Sequence, residues 1–205
     1  LPEDSPYRSE GFTKFVDVIA PNGKPIRIIA QKGVRDIAVA RCENLLKFYL
    51  TDVPGTKYGS DKSAVANSMA NNHAMLMMPE GEHQEGEEPE IHAQPQFESE
   101  TPVDGSRWYI RNDWEHRDAA FEEIFHLVHD TGIGTYDPGA LPQYQKELQD
   151  EAIKSLSDGR WGIPIDPHVK EWIEELRQED SLAQEYIASV IDSYYGLWAA
   201  FDENP

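Results

Sequence analysis

The sequence predicts an α+β chain in which a small N-terminal sheet precedes a mostly helical half, and three observations lead there. Two β-branched runs, FVDVIA and PIRIIAQ, flank Asn22-Gly23, a pair that accepts positive φ and closes a hairpin. From Val34 to Leu50 the residues Ile37, Ala38, Ala40, Leu45, Leu46, Phe48 and Tyr49 recur at helical spacing, giving an amphipathic helix that can back the sheet. Beyond residue 132 the periodic segments read as helices.

With 205 residues, 39% of them hydrophobic, the chain can bury one good-sized core. We expect a single domain over 1–205: an arm at 1–12, a sheet and motif-helix half at 13–132, and a helical half at 133–205. A formal net charge of −20 excludes a surface for nucleic-acid phosphates and repels anionic membranes. No apolar run has the length of a membrane span. Neither nucleic acid nor membrane is an expected partner. Cys42 is the only cysteine, so no intrachain disulfide can form, and its helical position predicts a small core residue. The chain opens LPEDSP without Met, which fits either a mature form left after removal of a leader or a trimmed chain.

A second helix is expected from Asp61, as its cap, to Ala70. His73 to Pro79, short and apolar between turn formers, suits a buried strand whose alternating faces separate its three Met side chains. Residues 80–100 carry eight Glu and no basic residue. Too little apolar surface is available there to offset ordering entropy, so a long acidic loop is expected. It is a candidate lid, with His83 and His92 candidate ligands of a second cation. Residues 107–111 then read as a strand leading toward the central helix. Further helices are expected at 142–156, 167–177 and 181–201, the last with an apolar stripe through Leu182, Tyr186, Val190, Tyr194, Leu197 and Trp198. Glu185 lies off that stripe, beside Ala188, Ser189 and Asp192.

The chemistry concentrates in FEEIFHLVHD, residues 121–130, between Asp118 as a cap and Gly132 as a stop. At about 100° per residue, Glu122, Glu123, His126, His129 and Asp130 share one sector, opposite Phe121, Ile124, Phe125, Leu127 and Val128. A solvated face would usually include Lys, Arg or Gln; carboxylates and imidazoles alone point to metal ligation or acid–base work. Glu122 and His126, at i and i+4, can hold one ion between them. This is the spacing of the HExxH metallohydrolase motif with its first His replaced by Glu, and Glu123 stands where the general base stands. The added anionic ligand weakens Lewis acidity and moves preference toward harder cations. His116, Tyr194 and Tyr195 are candidates for stabilising an oxyanion.

The order FVDVIA/PIRIIAQ, the helix from Val34, HAMLMMP, RWYIR, the EEIFH helix and a helical C-terminal half resembles the zincin metallopeptidases. The resemblance implies a zincin-like fold with a small twisted sheet and backing helix, Zn2+ or another divalent cation as cofactor, and a peptide or other substrate held in a cleft. In the glutamate-zincin branch the third ligand is a Glu on a later helix. Glu185 in AQEYIASVIDSYYGLW fits that description best, and Glu151 in LQDEAIKSL is second. His129 competes for the same place; if it ligates, Glu185 orients an imidazole instead. More narrowly, FEEIFHLVHDTG, IIAQKGVRDIAVARCENLLKFYL and EYIASVIDSYYG are similar to a set of secreted proteins that carry an FEExLH-type helix. The expectation is a secreted, metal-dependent hydrolase with Glu122, His126 and Glu185 or His129 on the ion and Glu123 as catalytic base. A zincin-like protein that binds metal or ligand without peptidase activity, or a hydrolase of carbohydrate or ester substrates, is the alternative.

Overall fold

The computed structural model describes residues 1–82, 89, 91–106, 110, 118–134, 139–162 and 167–197. Strands β1 (Phe12–Ile19) and β2 (Pro25–Gln31) form the expected antiparallel hairpin, with Val16 opposite Ile28 and Val18 opposite Ile26. Gly23 takes the left-handed conformation, φ 81°, that its turn requires. Strand β3 (Met75–Met78) lies parallel to β2 and is buried along its length. Its faces alternate as expected: Met75 and Met77 pack with Phe12 and Ile29 on one side, and Leu76 and Met78 enter the main core on the other.

A fourth strand corrects the reading of 80–100 as one acidic loop. β4 (Gln94–Pro95) pairs parallel with β3, completing a sheet of order β1-β2-β3-β4. The stretch Ala93 to Phe97 carries no charge, and Phe97 is buried. The buried Gln96 amide nitrogen donates to Thr101 Oγ1 at 2.9 Å and Glu100 O at 3.2 Å, so its N–H groups are satisfied inside. Glu98 also has a structural task, accepting from Arg35 N and Nε, both at 3.2 Å, where the first helix begins.

Helix α1 (Asp36–Leu50) turns Ala38, Val39, Cys42 and Leu46 into the core beside the sheet. Helix α2 (Ser63–Asn71) begins two residues after Asp61, whose carboxylate accepts from Ser63 N at 2.9 Å. Helix α3 (Ala120–Val128) is the predicted central helix. Asp118 accepts from Ala120 N at 3.2 Å and also meets the Arg41 guanidinium from α1. Most of α3 is buried, Glu122 and His126 of its polar sector included, because α1, β4 and a C-terminal helix pack around it. Its end also differs from expectation. Residues His129–Ile133 form a π-helical turn with Gly132 inside it, pressed on α2.

The C-terminal half contains α4 (Pro142–Ser157), α5 (Pro167–Gln178) and α6 (Leu182–Tyr195). Gly196, φ 67°, closes α6 well before residue 201. The predicted stripe is not its buried face: Tyr194 is 81% exposed and Val190 41%. Ala183, Ala188 and Asp192 are buried instead, so the helix approaches α3 through small residues and brings the Glu185 side inward. Ile110 is helical, bonded to Ser106 O at 2.9 Å, which is not the expected strand; the rest of 107–111 lies outside the described residues. Among the described residues, no helix is long and apolar enough to cross a membrane.

A Cβ on Gly132 would stand 2.8 Å from both Met69 Cγ and Val65 Cγ1 and 3.2 Å from Val65 O. Because the backbone of α2 cannot yield freely, Gly132→Ala should cost about 1–3 kcal/mol, measured by urea denaturation. A stability equal to that of the parent chain would mean that the two segments are not so closely packed.

Candidate metal centre

Two elements from different halves of the chain meet at one point. From α3 come Glu122 and His126, one helical turn apart and buried at 7% and 5% exposure. From α6 comes Glu185, whose side chain keeps 24% exposure. One ligand atom from each of the three lies within 4.8 Å of the others. His126 Nε2 is 3.6 Å from Glu185 Oε1, too long for a hydrogen bond. It suits two ligands of one ion, since atoms about 2.0–2.2 Å from a tetrahedral Zn2+ stand roughly 3.3–3.6 Å apart. Nε2 is buried and has no hydrogen-bond partner among the described residues. The donor set therefore fits a divalent cation, with one imidazole nitrogen that nothing else satisfies.

The other ring nitrogen faces a different carboxylate. His126 Nδ1 is 3.5 Å from Glu123 Oε2, and the same oxygen accepts from Gln94 Nε2 at 2.6 Å. Gln94 is on β4, so the sheet edge anchors Glu123 while Glu123 faces the imidazole. A carboxylate at Nδ1 holds its proton there and leaves Nε2 as the lone-pair donor, the usual second partner of a ligating histidine. Burial alone pulls the His126 pKa down, but the close Glu123 carboxylate and the charges of Glu185 and Glu122 outweigh it and push it up to about 9.

The remaining candidates are placed elsewhere. His129 is fully buried and its Nε2 bonds to Gln145 Oε1 on α4. Burial, helped by the His126 charge, lowers its pKa against the opposing effects of Gln145 and Asp130, favouring the neutral ring. It shares the Glu122 sector, but seven residues are about 10.5 Å of helix rise, which takes it out of reach of an ion on Glu122. Asp130 meets Gln184 at 3.4 Å. Glu151 is exposed, 3.6 Å from Lys154. His92 and Tyr194 are exposed, and Tyr195 packs on Phe121 with ring centres 5.0 Å apart. Cys42 is buried, and burial raises its thiol to about 12, which makes it inert as a nucleophile. His83 and His116 lie outside the described residues.

Gln94 is the residue that sequence reasoning passed over. It lies in the acidic segment with no local period to mark it, and only the pairing of β4 with β3 sets it against α3. Comparisons of the chain with protein-family models, with curated proteins and with solved structures return no match.

The raised pKa of His126 has a sign that can be checked in metal-free protein. The folded state holds the proton more tightly than the unfolded chain, so this stabilisation is complete below pH 6.5 and lost as pH rises through about 9. The loss should be on the order of 3 kcal/mol, read from urea denaturation across that range. His126→Gln should flatten the dependence; an unchanged slope would assign it to other groups.

Proposed function

We propose that the chain is a metal-dependent hydrolase of zincin-like type, a variant zinc metallopeptidase, with Glu122, His126 and Glu185 as metal ligands. The observation that carries this reading is the buried His126 Nε2, beside two carboxylates and without a hydrogen-bond partner among the described residues. Acidic clusters alone are common. A buried imidazole nitrogen left unsatisfied among them needs an explanation, and a cation supplies one. The order of parts supports the zincin-like assignment: a sheet, a backing helix, a helix with ligands at i and i+4, and a later helix with a Glu. Zn2+ accepts this mixed donor set, and its two carboxylates also suit harder divalent ions.

A bound ion would supply Lewis acidity toward a carbonyl oxygen and toward water. The chain's own residues would do the rest. Glu122, His126 and Glu185 would fix the ion between α3 and α6. Gln94 holds Glu123 at the edge of the group, 21% exposed in its side chain. Glu123 would take a proton from the attacking water and deliver it to the leaving group. A peptide is the substrate class we assign, with ester and glycosidic bonds as the alternatives. The second reading is a metal-binding protein without hydrolytic activity. It is favoured by the engagement of Glu123 with Gln94 and His126, which already gives that carboxylate a positioning task.

Zn2+ titrated into chelator-treated full-length chain should bind at one equivalent, raise the unfolding temperature, and lose that effect in His126→Gln and Glu185→Gln. Absence of Zn2+, Mn2+ and Co2+ binding would overturn the metal assignment. Glu123→Gln separates the two readings. For the hydrolase it should keep the metal and lower peptide hydrolysis by about 10²–10⁴, whereas unimpaired hydrolysis would remove Glu123 from the mechanism.

A further inference from the structure

Another face of α3 meets a cavity unrelated to the acidic group. Phe125 and Val128 form one wall, and Val65, Ile133 and Leu141 extend the apolar lining around a volume of about 160 Å³. Three tyrosines complete the lining. Tyr58 and Tyr144 are stacked with ring centres 4.7 Å apart, and Tyr49 stands edge-on to Phe125 at 5.4 Å. The hydroxyls of two are already engaged: Tyr49 donates to Phe121 O at 3.0 Å and Tyr58 to Glu147 Oε1 at 2.8 Å. What those two offer an occupant is therefore chiefly ring surface.

One ionic side chain, Lys62, lines the cavity. Its ammonium donates to Tyr49 O at 2.8 Å, and a lysine has three N–H groups to place. Burial lowers the Lys62 pKa, and the Asp52 charge opposes that shift.

We propose that this cavity binds a monocyclic aromatic carboxylate, its ring among Tyr49, Tyr58, Tyr144 and Phe125 and its carboxylate on the Lys62 ammonium. The volume suits one ring: an apolar protein cavity of about 150 Å³ takes up benzene, and this one measures about 160 Å³. The walls favour an aromatic guest, because Tyr49, Tyr58, Tyr144 and Phe125 all line the cavity. Lys62 selects the acid over the neutral compound. Nothing here depends on a metal, so the site stands or falls separately from the hydrolase reading.

Benzoate and benzamide, alike in shape and different in charge, test the site on full-length protein with 13C-labelled methyl groups. Benzoate should shift the methyl signals of Val65, Val128, Ile133 and Leu141 saturably. It should bind at least about tenfold more tightly than benzamide, the size expected for a hydrogen bond to a charged group. Lys62→Met and Lys62→Gln should erase that difference. Benzoate that leaves those methyls unmoved, or that binds no better than benzamide to the unaltered chain, would overturn the proposal.

Discussion

A buried imidazole surrounded by carboxylates sets the conditions for the rest of the molecule. Glu122 is nearly enclosed, Glu185 and Glu123 reach the same imidazole, and the chain already carries a large excess of negative charge. Desolvating such groups costs several kcal/mol per ion unless positive charge is close. The imidazolium of His126 can supply it, and so can a divalent cation. The two exclude each other, since a metal needs the lone pair on Nε2 that the proton would occupy. With Glu123 retaining the Nδ1 proton, competition between proton and ion centres on a single atom.

That atom has to be held where both halves of the chain converge. The sheet half supplies Glu122 and His126, and fixes α3 through the Arg41–Asp118 pair, the Tyr49 hydroxyl on Phe121 O and the Gln94 amide on Glu123. The helical half supplies Glu185 and positions it through Trp161. The Trp161 indole donates to Ser189 Oγ at 3.1 Å and packs edge-on against Trp172 of α5 and Tyr186 of α6. Tyr186 in turn meets Ser155 of α4 at 3.1 Å. Glu185 is therefore placed by three helices that share no residue with the sheet. The acidic group marks the join between the halves.

Local pattern made some of this legible and long-range pairing hid the remainder. The hairpin, α1 and β3 could be read because turn chemistry and apolar period act over a few residues. Glu122 and His126 could be paired because i and i+4 superpose on any helix. β4 could not be read: its two residues are a strand only by virtue of β3, and the surrounding glutamates dominate the composition. The inner face of α6 was missed for a different reason. A hydrophobic stripe ranks residues by size and apolarity, whereas close approach of two helices selects small ones, and Ala183 and Ala188 look unremarkable in sequence. His129 shared the right angular sector but stood too far along the axis, which a helical projection flattens away.

Replacing the first imidazole of an HExxH-type pair by Glu122 alters the charge balance more than the shape. A dication held by one imidazole and two carboxylates is neutralised, whereas two imidazoles and one carboxylate would leave a net positive charge. Neutrality lowers the cost of burying the ion beside Glu122 and between packed helices, so retention gains. Water activation loses by the same change, because the residual positive charge is what depresses the pKa of a coordinated water. Glu123 adds a further negative charge at Nδ1 and strengthens donation from Nε2, moving the balance again toward holding the ion. Hydrolysis at such a centre would therefore lean on the basicity and freedom of Glu123 more than on the Lewis acidity of the metal. The Gln94 hydrogen bond, which takes one of that carboxylate's oxygens, bears directly on how much of that freedom remains.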